Sequence, residues 1–292
     1  MPAQTLNVVT WNLWFGGTQM TNGLDRQAHL LDSLHADILC LQECLGDAAK
    51  NIAEHLSVHI AQYGYDTAVL SPWLTTLLPT PTYPYATAAH VQTPSGDILV
   101  WSVHLTPEEY GPYWQDSLPE ATHQVAQLAG ERQRAEQVQR ILLATKELLR
   151  EHFSTPETPV IIAGDFNVPS PADWNGTIRP TMKWRSIARL LDEGYCDAFR
   201  EAHPDPATAP GLTWSHIHTL EDEPRDRIDF IFSRGMSTVQ AHHMGEIPDP
   251  TTVSDEGLYI LPGECHYIPN HQNNAFASDH LLVHAKLSPA AQ

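Results

Sequence analysis

Two oxygen-bearing side chains follow a short apolar run in the segment VIIAGDFN at residues 160–167. The run is typical of a buried strand. Asp165 comes directly after its glycine, and Asn167 stands two residues further on. Both residue types are common in turns, so a turn that closes the strand is the simpler interpretation. Carboxylate and amide oxygens are also ligands that Mg²⁺ prefers in proteins. The segment therefore indicates either a strand-end turn or one part of a metal-dependent site.

Similar side chains stand at the ends of other predicted strands. Four more strands begin or end at a carboxylate, an amide or an imidazole, and the strand RIDFIF carries an aspartate inside an apolar run. A buried carboxylate is costly unless it is paired or hydrogen-bonded. So many positions of this kind favour one shared site over a set of unrelated turns. The residues are Asn12, Glu43, His104, Asp229, Asp279 and His280.

Several of these residues also have a purely structural interpretation when they are taken singly. Asn12 suits a turn, and His104 suits a hydrogen-bonded histidine of the core. Asp229 could instead pair with Arg225 or Arg227, which precede it in the chain. Only their occurrence together favours chemistry.

The elements that must position these residues follow from the spacing of apolar side chains. Strands are predicted at residues 6–11, 36–42, 65–71, 97–103, 159–164, 227–232 and 281–287. Amphipathic helices are predicted at 23–36, 131–150 and 182–195. This mixture of strands and helices along the whole length predicts a single α/β domain over residues 1–292.

The charge of the chain restricts its partners. The 292 residues include 16 lysines and arginines and 35 aspartates and glutamates, which gives a net charge of −19. Such a field repels nucleic acid and anionic membranes at long range. The composition therefore disfavours high-affinity, non-specific DNA binding.

The four cysteines, Cys40, Cys44, Cys196 and Cys265, lack the Cys-x-x-Cys spacing of zinc sites. Cys40 and Cys196 stand in apolar or helical contexts, which predicts buried free thiols. The first residues do not resemble a signal peptide, and no uncharged stretch is apolar enough to span a bilayer. We therefore expect a cytoplasmic protein with reduced thiols and no stable membrane insertion.

Six short motifs contain these residues, namely TWN (10–12), LQE (41–43), SVHL (102–105), GDFN (164–167), RIDF (227–230) and SDH (278–280). Their order and types resemble those of the endonuclease/exonuclease/phosphatase family, which includes pancreatic-type deoxyribonucleases, AP endonucleases, neutral sphingomyelinases and inositol polyphosphate 5-phosphatases. The resemblance implies a four-layer α/β/β/α sandwich, in which two packed mixed β-sheets are flanked by helices and the site lies at one end. It also implies a hydrolase of phosphoester bonds.

The resemblance implies a divalent-metal site. Glu43 would be the principal ligand of Mg²⁺ or Mn²⁺, with Asn12 beside it and Asp279 completing the site. These oxygen ligands fit the preference of Mg²⁺ for one or two carboxylates and several waters.

The remaining motif residues are implied to act on the substrate. Asp165 and Asn167 would face the phosphate and the attacking water, and His104 and His280 would reach the scissile phosphate. Asp229 would orient His280, since a carboxylate fixes the tautomer of an imidazole.

The expected reaction is hydrolysis of a phosphodiester or phosphomonoester by in-line attack of water. A metal-dependent DNA endonuclease or exonuclease could use the same site, and a non-catalytic binding protein could share the fold, although every expected site residue is present. The family often has a basic residue in the segment where this chain reads LSPWLTT at 70–76, which contains none. Its absence makes recognition of a nucleic-acid backbone less expected. We therefore expect a small molecule or lipid head group as substrate rather than duplex DNA, and no protein partner is implied.

Aromatic residues and one long loop are candidates for substrate binding. The loop at 246–278 leads directly into Asp279, so we expect it to wall the cleft together with the aromatic segment 110–114. Its apolar run LYILP at 258–262 favours an ordered, packed loop. The candidate substrate-binding residues are Tyr110, Trp114, Trp174, Asn175 and Trp214.

Overall fold

The computed structural model of the protein describes residues 5–81, 83–117, 128–219, 221–245, 259–261 and 276–290. Within those residues, no helix is both long enough and apolar enough to cross a membrane.

The described strands form two mixed β-sheets. In chain order they are β1 (Leu6–Asn12), β2 (Ile38–Gln42), β3 (His59–Tyr63), β4 (Thr67–Ser71), β5 (Thr75–Leu77), β6 (Ala86–Thr93), β7 (Gly96–His104), β8 (Val160–Asp165), β9 (Cys196–Asp197), β10 (Asp229–Arg234), β11 (Met236–Gly245), β12 (Tyr259–Leu261) and β13 (Leu282–Pro289). The seven-stranded sheet has the order β12-β11-β13-β1-β2-β4-β3, and the six-stranded sheet has the order β5-β6-β7-β8-β10-β9. The pairs β1–β2 and β7–β8 are parallel, whereas their neighbours are antiparallel.

Helices cover the outer faces of both sheets. They are α1 (Gly23–Ser33), α2 (Ala48–Leu56), α3 (Ala129–His152), α4 (Arg185–Asp192) and α5 (Ala198–Ala202), with short 3₁₀ helices at Phe15–Gly17 and Gly111–Ser117. One apolar cluster joins α1 and α2 to the seven-stranded sheet, and another joins α3 and α4 to the six-stranded sheet. A third cluster fills the space between the sheets. The predicted four-layer α/β/β/α sandwich is therefore confirmed.

Strand β8 shows why the sequence folds in this way. All six of its residues are buried, because the other sheet covers one face and helices cover the opposite face. Ile161 and Ala163 lie in the cluster between the sheets, whereas Val160 and Ile162 lie in the cluster beneath the helices. This alternation explains the continuous apolar run that precedes Asp165.

Gly164 is required by the close approach of β7 to β8. Its φ is 151°, and a Cβ atom built there would lie 1.9 Å from the carbonyl oxygen of Val103. No side chain fits at that distance, so glycine alone allows the two strands to pair next to Asp165.

Two local predictions are wrong. Asp229 is the first residue of β10 and not an interior one; β10 runs antiparallel to β8, so its start lies where β8 ends. Cys196 is exposed, because β9 is a short strand at the edge of its sheet, whereas Cys40 and Cys44 are buried free thiols. Cys265 lies outside the described residues.

Most of the long loop lies outside the described residues, namely 246–258 and 262–275. Within its apolar run, residues Tyr259–Leu261 form β12, which pairs with the end of β11 at the edge of the larger sheet.

Candidate active site

Strand register brings three polar side chains into a row on the six-stranded sheet. His104 at the end of β7 is paired with Asp165 at the end of β8, and Asp165 is paired with Asp229 at the start of β10. Because β10 runs in the opposite direction to β8, its first residue meets the last residue of β8. Backbone pairing therefore fixes this row.

Asn12 connects the two sheets at this end of the sandwich. It is the last residue of β1, and its side-chain Nδ2 donates to Oε1 of Glu43 and to Oδ2 of Asp165, both at 3.1 Å. The backbone N–H of Phe15 donates to the second oxygen of Glu43 at 2.7 Å, while the N–H of Trp14 donates to Oδ1 of Asn12 at 2.9 Å. The Glu43 carboxylate is thus held on both oxygens.

His280 forms a hydrogen-bonded pair with Asp229. The distance from Nδ1 of His280 to Oδ2 of Asp229 is 2.9 Å, and both side chains are buried. The segment around His280 is anchored to β1, because Trp11 Nε1 donates to the His280 carbonyl at 2.9 Å and Ser278 Oγ donates to the Asn12 carbonyl at 2.6 Å. These anchors place the last motif against the first.

A second aspartate–histidine pair lies on the other side of the row. Nδ1 of His104 is 3.0 Å from both carboxylate oxygens of Asp66, which also accepts a 3.1 Å hydrogen bond from the Glu43 backbone N–H. Burial alone would lower the pKa of His104, but hydrogen bonding to Asp66 and the charges of Asp66, Asp165 and Glu43 raise it to about 9. This imidazole is therefore held as a cation.

Both imidazoles approach the same oxygen of Asp165. Nε2 of His104 lies 3.8 Å from Oδ2 of Asp165, and Nε2 of His280 lies 3.7 Å from it. Burial would lower the pKa of His280 too, but Asp229, Asp279 and Asp165 raise it well above the usual value. Burial also raises the pKa of Asp165, against the opposing charge of His280. Two cationic donors thus face one carboxylate beyond direct hydrogen-bond distance.

Asp279 accepts a hydrogen bond on one oxygen only. Trp214 Nε1 donates to Oδ2 of Asp279 at 3.2 Å, whereas the buried Oδ1 has no hydrogen-bond partner among the residues that the structure describes and lies 4.0 Å from Nε2 of His280. Burial raises the pKa of Asp279 to about 6, with His280 opposing that change and Glu43 adding to it. A buried carboxylate oxygen without a partner suits a cation ligand.

The side chains fit a divalent cation. The cleft contains Glu43, Asp66, Asp165 and Asp279, and no lysine or arginine is among the described residues that line it. Mg²⁺ prefers oxygen ligands from one or two carboxylates together with waters. Glu43 and the unpartnered oxygen of Asp279 supply such a set.

Asp165, Asp229 and His280 form another possible ligand group, whose ligand atoms lie within 4.8 Å of one another. An imidazole must be neutral to bind a metal ion. The pKa of His280 is raised by its carboxylate neighbours, and its Nδ1 is engaged by Asp229. The pair Glu43 and Asp279 therefore fits a cation better than this group does.

The candidate site opens as a cleft of about 340 Å³ with a polar floor and apolar walls. The walls are formed by Phe15, Leu45, Pro107 and Trp214. A larger groove of about 1160 Å³ continues from it and shares Asp66, His104 and Pro107 with the cleft.

Comparison with known proteins identifies the family of this chain. Residues 9–280 match the Endonuclease/Exonuclease/phosphatase family. The chain belongs to this family. The family is usually hydrolytic on phosphoester bonds. A protein of Caenorhabditis elegans is 28% identical over 303 residues, which cover 96% of this chain and 90% of that protein.

Solved structures of the family share the fold. The structure of Danio rerio TDP2 complexed with a single-strand DNA product has a TM-score of 0.60 and 18% identity, covering 98% of this chain and 99% of that one. The endonuclease/exonuclease/phosphatase of Bacteroides vulgatus has a TM-score of 0.61 and 14% identity, covering 98% of this chain and 100% of that one. At these identities the likeness shows the two-sheet sandwich alone.

The family motifs converge, but the candidate substrate-binding residues do not all do so. Trp214 lines the cleft. Trp174 is 1% exposed and packs edge-on against Trp184, so it cannot reach a substrate. Asn175 is used in a local turn, in which it donates to the Ala172 carbonyl and accepts from the Thr177 N–H. For Trp174 the prediction of substrate contact is wrong. Asn175 is exposed and is not among the described residues that line the cleft, so for this residue substrate contact stays a prediction.

The aromatic segment lies behind the cleft and beside it. Tyr110 is buried; its hydroxyl donates to Asp226 at 2.9 Å, and its ring packs edge-on against Trp214. It therefore supports the cleft wall instead of lining it. Trp114 is 44% exposed and is not among the described residues that line the cleft.

Sequence patterns missed Asp66 and three of the four apolar wall residues, whereas Trp214 was predicted. Asp66 immediately precedes β4, so the rule that strand ends carry functional residues could have found it. Phe15, Leu45 and Pro107 follow the motif residues Asn12, Glu43 and His104 by two or three positions. That closeness was the available signal for them.

Proposed function

We propose that this family member is a divalent-metal-dependent phosphoesterase that hydrolyses its substrate by in-line attack of water. The observation that carries the proposal is the approach of two aspartate-bound imidazoles to one oxygen of Asp165, beside a cleft rich in carboxylates. Such an arrangement supplies positive charge and proton donors to a phosphate without covalent chemistry by the protein.

Each residue has a distinct task in this proposal. His104 and His280, kept cationic by Asp66 and Asp229, donate hydrogen bonds to the phosphoryl oxygens, and one of the two gives a proton to the departing oxygen. Asp165 accepts a proton from the attacking water. Asn167 lines the cleft, and its Nδ2, which donates to the Leu105 carbonyl at 2.9 Å, has a second hydrogen for the phosphate. Asn12 acts as a positioning residue, since its amide nitrogen already holds Glu43 and Asp165.

Glu43 and Asp279 would hold the cation, with Mg²⁺ or Mn²⁺ suited to their oxygen ligands. A bound divalent cation neutralises charge that develops on phosphoryl oxygens. It also removes the repulsion between an anionic substrate and this acidic cleft, which explains why the cleft needs no lysine or arginine among its described lining residues.

The proposal is tested with a panel of phosphate substrates and purified protein. The panel contains a chromogenic diester, a monoester, intact and abasic DNA, and lipid and inositol phosphates. Hydrolysis should be lost in EDTA and restored by Mg²⁺ or Mn²⁺, and Glu43→Gln should raise the metal concentration needed for half-maximal activity by at least about tenfold. The control Glu54→Gln, on the exposed side of α2, should behave like the wild type. Full activity of metal-stripped protein would contradict the proposal.

We favour a small phosphoester or a lipid head group as the substrate over duplex DNA. The cleft volume of about 340 Å³ suits a small ligand. The net charge of −19 opposes the approach of a long polyanion.

Hydrolysis of single-stranded nucleic acid is the second candidate, and the adjoining groove favours it. Arg132 and Arg140 line the groove and lie about 12 Å apart along α3. The exposed Tyr65 lines the same groove. Arginines and exposed aromatic rings are what single strands require. Glu108 and Glu136 line the same groove, so its charge is mixed, and for this reason we rank the candidate second.

The two candidates are separated by measuring how the wild type and arginine variants cleave a labelled single strand and a small chromogenic diester. If nucleic acid is the substrate, Arg132→Gln and Arg140→Gln should each weaken cleavage of the strand by about tenfold. Hydrolysis of the diester should remain unchanged. Arg150→Gln, on an exposed position of the same helix outside the groove, is the matched control.

A further inference from the structure

The turn after β1 has an unusual backbone. Trp14, Phe15, Gly16 and Gly17 have φ values of 49°, 53°, 63° and 76°, all in the left-handed region. Glycine adopts these angles freely, whereas a large aromatic residue does so at a cost. Strained residues of this kind occur where function requires them and the surrounding structure holds them.

Hydrogen bonds hold the backbone of this turn but do not explain its aromatic side chain. The Phe15 N–H donates to Glu43, and the Gly17 N–H donates to the Leu13 carbonyl at 2.9 Å. An asparagine at position 15 would make the same backbone contact at a lower conformational cost, since asparagine tolerates the left-handed region. The phenyl ring is 45% exposed, so it contributes little to the core.

The ring of Phe15 instead forms part of the cleft wall. It lines the cleft with Leu45, Pro107 and Trp214, above the floor that contains His104 and His280. Phe15 comes from the turn after β1, whereas Trp214 is the residue that holds Asp279. Apolar groups from separate segments therefore surround the place where the organic part of a phosphoester would lie.

We propose that Phe15 is a specificity residue that contacts the organic group esterified to the phosphate, and that the cleft prefers a planar ring there over a short alkyl group. The inference rests on the proposed phosphoesterase function and deepens it. Aromatic faces gain from contact with another ring beyond simple area burial. Strain at Phe15 is then maintained because it places the ring at the substrate.

The test uses two probes with a non-hydrolysable P–C bond, phenylphosphonate and methylphosphonate, bound to the full-length protein in the presence of Mg²⁺ or Mn²⁺. The wild type should bind phenylphosphonate at least about tenfold more tightly, which corresponds to about 1.4 kcal/mol. Phe15→Asn should weaken binding of phenylphosphonate by about tenfold and that of methylphosphonate less than about twofold.

A stability measurement separates this role from a structural one. Phe15→Asn should leave the midpoint of urea unfolding unchanged or raise it, because the strain is relieved. The control is His35→Asn, an exposed residue with φ of 46° outside the cleft, which should affect stability in the same direction and leave binding of both probes unchanged.

The outcomes are distinguishable. Equal affinity of the wild type for the two phosphonates, or an equal loss for both in Phe15→Asn, would overturn the inference about Phe15 alone. A lowered unfolding midpoint in Phe15→Asn would also overturn it, because the ring would then serve the fold. Absence of any hydrolysis across the substrate panel would overturn the proposed function itself.

Discussion

Two histidines at the candidate site each have one carboxylate partner at Nδ1. Asp229 holds Nδ1 of His280 at 2.9 Å, and Asp66 holds Nδ1 of His104 at 3.0 Å. Each contact leaves Nε2 directed toward Asp165. A change at either aspartate should therefore act through its histidine.

Removal of the partner of His280 tests this dependence. Asp229→Asn should lower kcat by about 100-fold, and His280→Ala should lower it by a similar or larger factor. Because the two residues act as one unit, the double variant should lose little more than His280→Ala alone. Steady-state kinetics on the chromogenic diester provide the measurement, and Asp32→Asn, at an exposed position of α1, is the control. Strictly additive losses would show that the pair does not act as a unit.

Elements are fixed at the site by a buried network of charges next to β10. Arg227 donates to Asp173 and to Asp197, with distances between 2.7 and 3.1 Å, and Arg200 donates to Asp173 at 2.6 Å. The network joins the segment after β8, the end of β9 and helix α5 to the residue two positions before Asp229. It thereby fixes where β10 begins.

Removal of the central cation should destabilise the whole arrangement. Arg227→Met leaves Asp173 with the Arg200 side chain, and it leaves Asp197 with only the backbone N–H groups of Phe199 and Arg200. Breaking a buried ion pair in this way costs about 3–5 kcal/mol. Urea unfolding should show a loss of this size in the free energy of unfolding. Arg150→Met, at an exposed position of α3, should change that free energy by less than about 0.5 kcal/mol. A small loss in Arg227→Met would mean that water replaces the missing partner.

The larger sheet carries three histidines away from the site, of which one is fully buried and two are half-buried. His284 on β13 is paired in register with His242 on β11, and His243 is fully buried. Burial lowers the pKa of all three, and for His284, with smaller effects of His242 and Lys286, it falls to about 4. The folded protein therefore binds protons at these three histidines less readily than the unfolded chain does.

Acid should weaken the fold through these groups. An unfolded histidine titrates at a pKa of about 6.5, so between that pH and about 4 the unfolded chain binds more protons than the folded one, and stability falls as the pH falls. His284→Gln should make the free energy of unfolding less dependent on pH across this window, by up to about 3 kcal/mol. His152→Gln, at an exposed position of α3, should leave the dependence unchanged. Parallel curves for His284→Gln and the wild type would contradict this assignment.

The sequence by itself determined several strands and the candidate site residues at their ends. Apolar periodicity and the residue that interrupts it are local properties, so β1, β2, β7, β8 and β13 could be predicted together with Asn12, Glu43, His104 and Asp165. Short or half-exposed elements such as β3 and β9 carry a weaker pattern and were not predicted. Sheet order and register depend on contacts between distant segments, which local periodicity does not encode.

Only the tertiary structure decided which polar side chains share a partner and which aromatic rings face the cleft. Asp66 meets His104 because β4 and β7 lie in different sheets that face each other, 38 residues apart in the chain. Trp174 and Trp214 look alike in sequence, yet one is buried against Trp184 and the other holds Asp279. Phe15, which has a left-handed backbone, likewise donates its N–H to Glu43, a residue at the end of another strand. Each of these outcomes is set by close contact between segments that are remote in sequence, and a side chain's type does not specify its neighbours.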